Sequence, residues 1–556
     1  MINALIQQSF ETKLNLYFDR DEDPAWLKKL IGDAEFLQQL QIAWGCSDFA
    51  ADQAASHPEE FRELVESADL ESSYSQKTVL KSLKQIISSI PDANEKALAR
   101  QLRLFRRREM QRIIWRDFNR LADVTETTRD VTLLAEACIK VTLDYLHPMV
   151  ANDFGKPLDN CGNEQKLLVI AMGKMGGGEL NLSSDIDLIF AYPEAGETLG
   201  AKRSVSNQQF FERLGQRLIA SLDAQTVDGF VFRVDMRLRP YGQSGPLVQN
   251  FAALEDYYTT QGRGWERFAM VKARVVAGEP KSVEVLNDIL NPFIYRRYLD
   301  YGAIESLRDL KRKINLEVSR KGMQDNIKLG RGGIRELEFI VQSFQLIRGG
   351  RLQSLQVQSF QEALEQITVD GLLEEKIKTQ LWQAYQFLRD TEHVLQGIDD
   401  KQTQQLPMDE LSQQRVALVM GASHWDKFLE QLDTHRDNVH CCFANMIADE
   451  GQVSPGQQSS EINWEPEMNT DESIALLKTL NYQKPEAIIE TLKQFYTSRG
   501  VVALAAVARA RLDTLMPEVL RVCAAQKDSD RTFGLVFNLV QAVLRRSVYL
   551  TLLIEN

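Results

Sequence analysis

Two aspartates spaced two residues apart are the side chains of this chain best suited to carry chemistry. Asp185 and Asp187 follow an apolar run and a glycine-rich turn within Lys166–Phe190. Side chains of a strand alternate between its faces, so both carboxylates should project one way while Ile186 and Leu188 face the core. Neighbouring carboxylates repel each other unless a cation lies between them, and Mg²⁺ is the oxygen-preferring ion that also carries substrate phosphates. The pattern predicts metal-dependent phosphoryl or nucleotidyl transfer.

A third acidic group lies in Gly229–Pro240, where apolar and polar residues alternate as in a half-buried strand. Its polar face carries Asp235 among Arg233, Arg237 and Arg239. We expect Asp235 to complete a Mg²⁺-binding triad with the two earlier aspartates, or to polarise an attacking or departing oxygen. Arg237 and Arg239 can bind phosphate oxygens in a forked geometry. The alternative is a solvated sheet face with internal ion pairs.

The glycine turn before the aspartates is the third part of the predicted site. It contains neither GxxxxGK[ST] nor the dinucleotide fingerprint with its downstream acid. Backbone N–H groups in such a turn can approach a phosphate closely. The predicted nucleotide- and phosphate-binding residues are Gly173, Lys174, Gly176, Gly177, Ser184, Arg237 and Arg239.

Several long strings closely resemble the glutamine synthetase adenylyltransferase/adenylyl-removing enzymes, which belong to the DNA polymerase β-like nucleotidyltransferase superfamily. The strings are GKMGGGELNLSSDIDLIF, FRVDMRLRPYGQSGPLV, FRRREMQRIIWRD, FAALEDYYTTQGRGWERFAMVKARVVAG and IKLGRGGIRELEFIVQ. The resemblance implies an α+β fold, in which a small mixed-sheet, polymerase β-like nucleotidyltransferase core is flanked by large all-α helical domains.

The resemblance also implies a function. Residues 173–190 look like the adenylyl-removing half of a bifunctional enzyme, in which phosphate attacks an AMP–tyrosine bond on glutamine synthetase and ADP leaves. The other half attaches AMP from ATP. Because no second GG…SDxD block follows Gln342, we expect a fragment or truncated form without the adenylylating half. The implied partners are glutamine synthetase, a PII signalling protein, ATP/ADP and phosphate, with Mg²⁺ as cofactor.

Apolar periodicity and composition predict the organisation of the chain. We expect a helical region at 1–120, the catalytic domain at 121–278, a helical bundle at 279–450, a linker at 451–462 and the helical start of a second half at 463–556. The helices predicted within the bundle are Ala303–Arg320, Ile334–Ile347, Leu372–Leu395 and His424–Ile447.

Composition excludes several classes of protein. The net charge of −13 argues against a general nucleic-acid binder. The arginines of the basic helix Ala99–Asp117 are therefore expected to pair with acidic neighbours. Six cysteines read as reduced thiols of a cytoplasmic protein. The N-terminus does not resemble a signal peptide, no apolar run is long enough to span a membrane, and the cluster at His435–Cys442 lacks zinc-site spacing.

Three alternative functions remain open at this point. A related nucleotidyltransferase can use the same triad to transfer AMP or UMP to another regulatory protein, or to extend an RNA end. A non-catalytic module can sense a PII-type protein without turnover. A nucleic-acid adaptor can use the basic helix, which predicts salt-sensitive binding to RNA or DNA.

Overall fold

The computed structural model describes residues 2–91, 94–201, 204–296, 325–447, 470–502, 506–526 and 528–543. The chain divides into two compact units, residues 1–447 and 448–556. All the predicted site residues belong to the first unit. The predicted linker at 451–462 and the predicted helix Ala303–Arg320 lie outside the described residues. The five predicted domain ranges stay predictions.

Within the described part of the first unit, eight helices precede the sheet. They are α1 (Ala4–Arg20), α2 (Ala25–Leu30), α3 (Ala34–Cys46), α4 (Asp48–Ser56), α5 (Pro58–Glu66), α6 (Gln76–Ser88), α7 (Glu95–Phe118) and α8 (Val124–Phe154). Short polar side chains set where the long ones begin. Asn94 accepts a hydrogen bond from the amide of Ala97 at the start of α7, and Asp123 accepts one from the amide of Glu126 at the start of α8.

Helix α7 is the predicted basic helix, and its arginines do pair with acidic neighbours. Arg112 is 1% exposed and donates to Glu109 at 2.9 Å and to Asp130 at 2.6 Å. The other pairs are Arg106–Asp400, Arg107–Glu60, Arg108–Asp69 and Arg116–Glu126. These five guanidinium groups are therefore engaged inside the protein, which confirms the expected role of the helix.

Among the described residues that follow α8, seven strands and further helices come before the helical bundle. The strands are β1 (Lys156–Pro157), β2 (Leu168–Ala171), β3 (Ile186–Tyr192), β4 (Thr198–Leu199), β5 (Val234–Asp235), β6 (Val248–Asn250) and β7 (Arg274–Ala277). The helices are α9 (Gly173–Gly176), α10 (Asn207–Asp223), α11 (Phe251–Thr260), α12 (Gly264–Met270) and α13 (Pro280–Ile294).

Strand β3 organises a five-stranded mixed sheet. It pairs antiparallel with β2, which in turn pairs antiparallel with β7. On its other edge β3 pairs in parallel with two short strands, β5 near its start and β6 near its end. Strands β1 and β4 form a separate antiparallel pair. A mostly helical chain around a small mixed sheet agrees with the predicted α+β class.

Both faces of β3 are covered by apolar residues. Ile186, Leu188 and Phe190 are at most 1% exposed and join the main core, as expected. Ile189 and Ala191 on the opposite face pack in a second cluster, formed with residues of α11, α12 and α13. Asp187 lies on this second face, at the open end of the strand. The carboxylate therefore stands at the edge of a buried surface.

The predicted long strand over Gly229–Pro240 is wrong in length, because only Val234–Asp235 is a strand. Two causes are visible. Strand β6 takes the partner positions at Phe190–Tyr192, so β5 can pair only near the start of β3. In addition, the Asp235 carboxylate accepts a hydrogen bond from the Arg237 amide at 2.8 Å, which bends the chain into a turn.

The rest of the first unit is a helical bundle. It contains α14 (Ile334–Arg348), α15 (Phe360–Val369), α16 (Glu375–Gly397), α17 (Glu410–Val419) and α18 (Trp425–Ile447). Helices α14, α16 and α18 confirm the helices predicted there. The second unit has its own core and contains α19 (Thr470–Thr479), α20 (Pro485–Tyr496), α21 (Arg499–Val502), α22 (Ala506–Ala524) and α23 (Ser529–Val543). Among the described residues, no helix combines the length and the apolar character that crossing a bilayer requires.

Candidate active site

Two of the three predicted carboxylates lie on adjacent strands in register. Asp187 of β3 is the direct partner of Asp235 of β5 in a parallel pair. Neighbouring strands lie about 4.8 Å apart, and residues in register project to the same face. Asp185 lies in the loop that ends where β3 begins. The fold therefore brings together acidic residues from two separate segments of the sequence.

Both burial and neighbouring negative charges disfavour the ionised form of the Asp187 carboxyl group. Burial raises its pKa to about 6, with further raising contributions from Asp235 and Asp185. Lys328 and Arg237 act in the opposite direction. A cation close to such a half-buried carboxyl, which lies beside two like charges, stabilises its ionised form. Perturbed groups of this kind are typical of functional sites.

Each flanking carboxylate is held by an arginine. Asp185 accepts a hydrogen bond from Arg233 Nε at 2.7 Å. Arg237 donates through its Nε to Asp235 at 2.7 Å, and these hydrogen bonds lower the pKa of Asp235. The side chain of Arg237 is still 70% exposed. Its exposed guanidinium group can turn from Asp235 to a phosphate, and its predicted role as a phosphate ligand stays a prediction.

Arg239 lies differently from the expectation that it points into the site. Its guanidinium group donates to the carbonyl oxygens of Met236 at 2.7 Å, Gln243 at 3.3 Å and Gly245 at 3.4 Å. These bonds hold the turn that follows β5 in place. Phosphate binding by Arg239 stays a prediction.

The glycine turn is fastened to β3 directly beside Asp187. The amide of Met172 donates to the carbonyl oxygen of Asp187 at 2.9 Å. Gly173 has a φ of +55°, and a Cβ built on it would lie 3.4 Å from Asp187 Oδ2. A residue without a side chain therefore allows the backbone of the turn to lie against the carboxylate and leaves room next to it.

Gly176 and Gly177 have a packing role that the sequence did not predict. A Cβ on Gly176 would lie 1.9 Å from the carbonyl oxygen of Lys272, and one on Gly177 would lie 3.1 Å from that of Gln358. Both glycines are buried, so the structure explains them by close packing of backbone. Ser184 is half-buried in the loop before β3. Nucleotide binding by these three residues stays a prediction.

Replacing Gly176 by alanine should destabilise the first unit by about 3 kcal/mol or more, because the new methyl group must displace backbone atoms. The free energy of unfolding from urea titration measures this effect. Gly534→Ala is the control, since it lies in the second unit where a Cβ meets no described heavy atom within 4 Å, and it should leave the unfolding of the first unit unchanged. Equal stability of Gly176→Ala and the wild type would contradict the packing role.

Lys174 was predicted to contact the nucleotide, but its ammonium group is engaged elsewhere. Its Nζ donates to both carboxylate oxygens of Glu392 on α16, at 2.7 and 2.8 Å. Glu392 is fully buried; burial alone would raise its pKa, but Lys174 and Arg389 hold the pKa well below its usual range. The pair ties the glycine turn to the helical bundle. Phosphate contact by Lys174 stays a prediction.

Sequence reasoning missed Glu392, which lies 218 residues from its partner. One signal was available in α16. Arg389 and Glu392 fall on the helix face that also carries the buried Leu381, Leu388 and Leu395. Charged residues within an apolar stripe must have partners in the folded chain, because burying an unpaired charge is costly.

Lys328 is a second residue that the sequence did not assign to the site. It is half-buried in the glycine loop before α14, and its charge lowers the pKa of both Asp187 and Glu392. The cation therefore lies on the side of the bundle that faces the carboxylates.

The donor set of the predicted metal site fits Mg²⁺, because all three groups offer carboxylate oxygens. Two of them, Asp185 and Asp235, raise the pKa of the third, Asp187. Their arrangement is more open than expected. Among the described residues, one ligand group has its atoms within 4.8 Å of one another, and that group is Asp117, Asp390 and His393 rather than the three predicted carboxylates. Asp185 and Asp235 face their arginines instead. The assignment of Mg²⁺ to the triad stays a prediction.

The raised pKa of Asp187 predicts a pH effect on stability in the metal-free chain. Between pH 4 and 6 the unfolded chain has released this proton, because the ordinary pKa is 3.8, whereas the folded chain keeps it up to a pKa of about 6. The folded state binds more protons in this window, so the contribution of Asp187 to stability falls as the pH rises through it. In urea unfolding with a chelator, the wild type should therefore lose stability relative to Asp187→Asn as the pH rises through this window. Parallel pH profiles of the two proteins would contradict the shift.

Two family models match the chain. Residues 37–289 match the model for glutamate-ammonia ligase adenylyltransferase, and residues 308–447 match the model for GlnD PII-uridylyltransferase. The first covers the whole sheet with its three aspartates. The second covers most of the helical bundle with Lys328 and Glu392.

Curated relatives match over nearly the full chain. Three bifunctional glutamine synthetase adenylyltransferase/adenylyl-removing enzymes illustrate the similarity. That of Pseudomonas aeruginosa is 46% identical over 94% of this chain, that of Hahella chejuensis 50% over 83%, and that of Nitrosococcus oceani 44% over 94%. These alignments cover 54%, 48% and 54% of the respective relatives, so the chain spans about half their length. Because its sequence identity to these relatives is this high over most of its length, the chain belongs to the family of glutamine synthetase adenylyltransferase/adenylyl-removing enzymes.

Proposed function

We propose that this chain removes AMP from the adenylylated tyrosine of glutamine synthetase by phosphorolysis and releases ADP. The observation that carries the proposal is the in-register pair of Asp187 and Asp235 at the edge of the sheet, in a chain of this family. We also propose that the mixed sheet is the polymerase β-like nucleotidyltransferase core. The order of glycine turn, acidic strand and second acidic strand supports this assignment.

In the proposed reaction an oxygen of inorganic phosphate attacks the phosphorus of the AMP group. The bond from phosphorus to the tyrosine oxygen breaks, the tyrosine oxygen takes up a proton, and the new phosphoanhydride is ADP. Mg²⁺ held by Asp185, Asp187 and Asp235 would supply neutralising charge at the phosphate oxygens. Gly173 leaves room for the nucleotide beside Asp187.

Two cations of the chain complete the proposed site. The exposed Arg237 turns from Asp235 to a phosphate oxygen when substrate binds. Lys328 adds positive potential from the bundle side. The substrates of the proposed reaction are negatively charged phosphates. The two positive charges therefore favour their binding over that of neutral ligands.

We place this activity within a longer bifunctional enzyme whose other half attaches AMP from ATP, and we propose a PII signalling protein as its regulator. The PII-uridylyltransferase model over residues 308–447 supports a bundle that meets a PII-type protein. A cytoplasmic location is supported by the six cysteines, all of which are free thiols.

The same model match favours a second candidate, transfer of AMP or UMP to another regulatory protein. A non-catalytic PII-sensing module is the limiting case of this candidate. The two candidates differ in the direction of nucleotide transfer and in the protein that carries the modified residue.

The test uses the 556-residue chain with adenylylated glutamine synthetase, Mg²⁺ and ³²P-labelled inorganic phosphate. Phosphorolysis should place the label in the β-phosphate of ADP, because the phosphate itself becomes part of the product. Release of unlabelled AMP at a rate independent of phosphate would contradict phosphorolysis. Labelled UMP or AMP appearing on a PII-type protein, with no ADP formed, would favour the second candidate.

A further inference from the structure

A cluster of three ionisable side chains lies where α7 and α16 meet. Asp117 lies at the C-terminal end of α7, and Asp390 and His393 lie on α16. Residues three apart project from the same side of a helix, so Asp390 and His393 form a pair that faces Asp117. One possible ligand atom from each of the three residues lies within 4.8 Å of the other two.

Three polar atoms of this cluster are buried without a hydrogen-bond partner among the described residues. Asp117 and His393 are both 0% exposed. Among the described residues, Asp117 Oδ2 and both ring nitrogens of His393 have no hydrogen-bond partner. Buried polar groups in native proteins are almost always satisfied, so these three atoms need a partner that is not a side chain of the described residues.

The remaining atoms of the two carboxylates are already held by outer groups. Thr127 Oγ1 of α8 donates to Asp117 Oδ1 at 2.8 Å, and Arg120 donates to Asp390 Oδ1 at 3.1 Å. In each carboxylate, a donor from outside the cluster therefore fixes one oxygen. The second oxygen takes no part in that hydrogen bond. Such outer hydrogen bonds are typical of metal sites, where they orient the ligands.

A proton on His393 is the simplest alternative partner. His393 Nδ1 lies 3.4 Å from Asp117 Oδ1, so an imidazolium ion would pair with that carboxylate. This arrangement leaves Nε2 of the same ring buried and unsatisfied. A cation bound to one ring nitrogen likewise leaves the other nitrogen without a partner. Unlike the proton, however, it also gives a partner to Asp117 Oδ2.

We propose that Asp117, Asp390 and His393 bind a divalent transition metal, such as Zn²⁺, Co²⁺ or Mn²⁺, at a site separate from the catalytic carboxylates. One imidazole nitrogen with carboxylate oxygens suits this class of ion better than Mg²⁺, which prefers oxygen ligands and keeps several waters. The ion would balance a buried carboxylate that the single guanidinium group of Arg120, at the rim, leaves uncompensated.

The site lies where it would stabilise the loop that carries Asp185. Along α16, Glu392 binds Lys174 of the glycine turn, and Gln396 Oε1 accepts a hydrogen bond from the amide of Ser183. Glu392 and Gln396 both lie within one helical turn of His393. The metal would fix α16 against α7 and so keep these two contacts in place; its role is structural rather than catalytic.

The test measures Co²⁺ binding to the 556-residue chain by equilibrium dialysis and visible absorption, in the presence of excess Mg²⁺ to occupy all-oxygen sites. The wild type and the catalytic variant Asp187→Asn should each bind one equivalent of Co²⁺ with d–d absorption bands. His393→Gln should lose this equivalent and its bands. His147→Gln is the matched control, because His147 is a buried histidine paired with Glu164 away from the cluster and its loss should leave Co²⁺ binding unchanged.

The proposal fails if the wild type binds no Co²⁺ under these conditions, or if His393→Gln retains the equivalent. Should His393→Gln not fold, Asp390→Asn decides, because the side chain of Asp390 is 24% exposed and its change preserves shape. Retention of Co²⁺ by folded Asp390→Asn would overturn the site. The result is independent of AMP removal, since binding is expected in the inactive Asp187→Asn variant as well.

Discussion

Asp187→Asn should lower the rate of AMP removal about 10³-fold or more without unfolding the chain. The change removes the central carboxylate of the proposed Mg²⁺ site while keeping the shape of the side chain. Charge stabilisation by a bound metal contributes several kcal/mol to such a transition state, and about 4 kcal/mol corresponds to a factor of 10³. Turnover is measured as labelled ADP formed from adenylylated glutamine synthetase and ³²P-phosphate.

Although the rate should fall, the stability of the same variant should not. Asp187 is repelled by Asp235 and Asp185, so a neutral amide should make the metal-free protein at least as stable as the wild type at pH 7. A loss of rate with unchanged or higher stability separates a catalytic role from a structural one. Asp153→Asn, which alters an exposed carboxylate paired with Arg217, is the control and should keep full activity. Near-normal turnover in Asp187→Asn would remove the metal role.

The parts of the site that the sequence predicts are those encoded by short-range patterns. The period of two around Asp187 gave the strand and its buried neighbours, because alternation is a property of the local backbone. The apolar spacing that predicted Ile334–Ile347 gave α14 almost to the residue. The three carboxylates were proposed as site residues because acidic residues in apolar strands are rare without a function, and their role stays a prediction.

The parts that the sequence could not predict depend on which segments meet. The alternation of Gly229–Pro240 predicts a full strand, but pairing is limited by the partner positions that β6 already occupies on β3. Arg239 donates to carbonyl oxygens of the turn that follows β5, and the alternation of the sequence predicts a strand there instead of a turn. The partner of Lys174 lies on α16, and no local rule connects two such distant residues.

Long-range ion pairs of this kind explain how the glycine turn is held in place. Beyond the turn, Glu179 accepts a hydrogen bond from Lys272 Nζ at 2.8 Å, and Lys272 also donates to Glu338 of α14 at 2.8 Å. Lys272 is 4% exposed. Burial alone would lower the pKa of this ammonium group, but the two carboxylates raise it above its usual range. The group therefore stays charged and joins the turn to the bundle.

Lys272→Met should reduce the free energy of unfolding of the first unit by about 3–5 kcal/mol at pH 7, because it leaves Glu179 and Glu338 buried without their cation. Urea titration measures the loss. The control is Lys427→Met, in which an exposed lysine loses its pair with Glu430 and stability should change by less than about 0.5 kcal/mol.

A combined variant identifies the cause of the loss. Adding Glu179→Gln and Glu338→Gln to Lys272→Met removes the uncompensated charges and should recover much of the lost stability, because a neutral set of similar shape replaces the ion triad. If packing of the lysine chain were the main contribution, the triple variant would be as unstable as the single one. Wild-type stability of Lys272→Met would show that the triad contributes nothing to the attachment of the turn, and the link between the glycine turn and α14 would have to rest on apolar contacts alone.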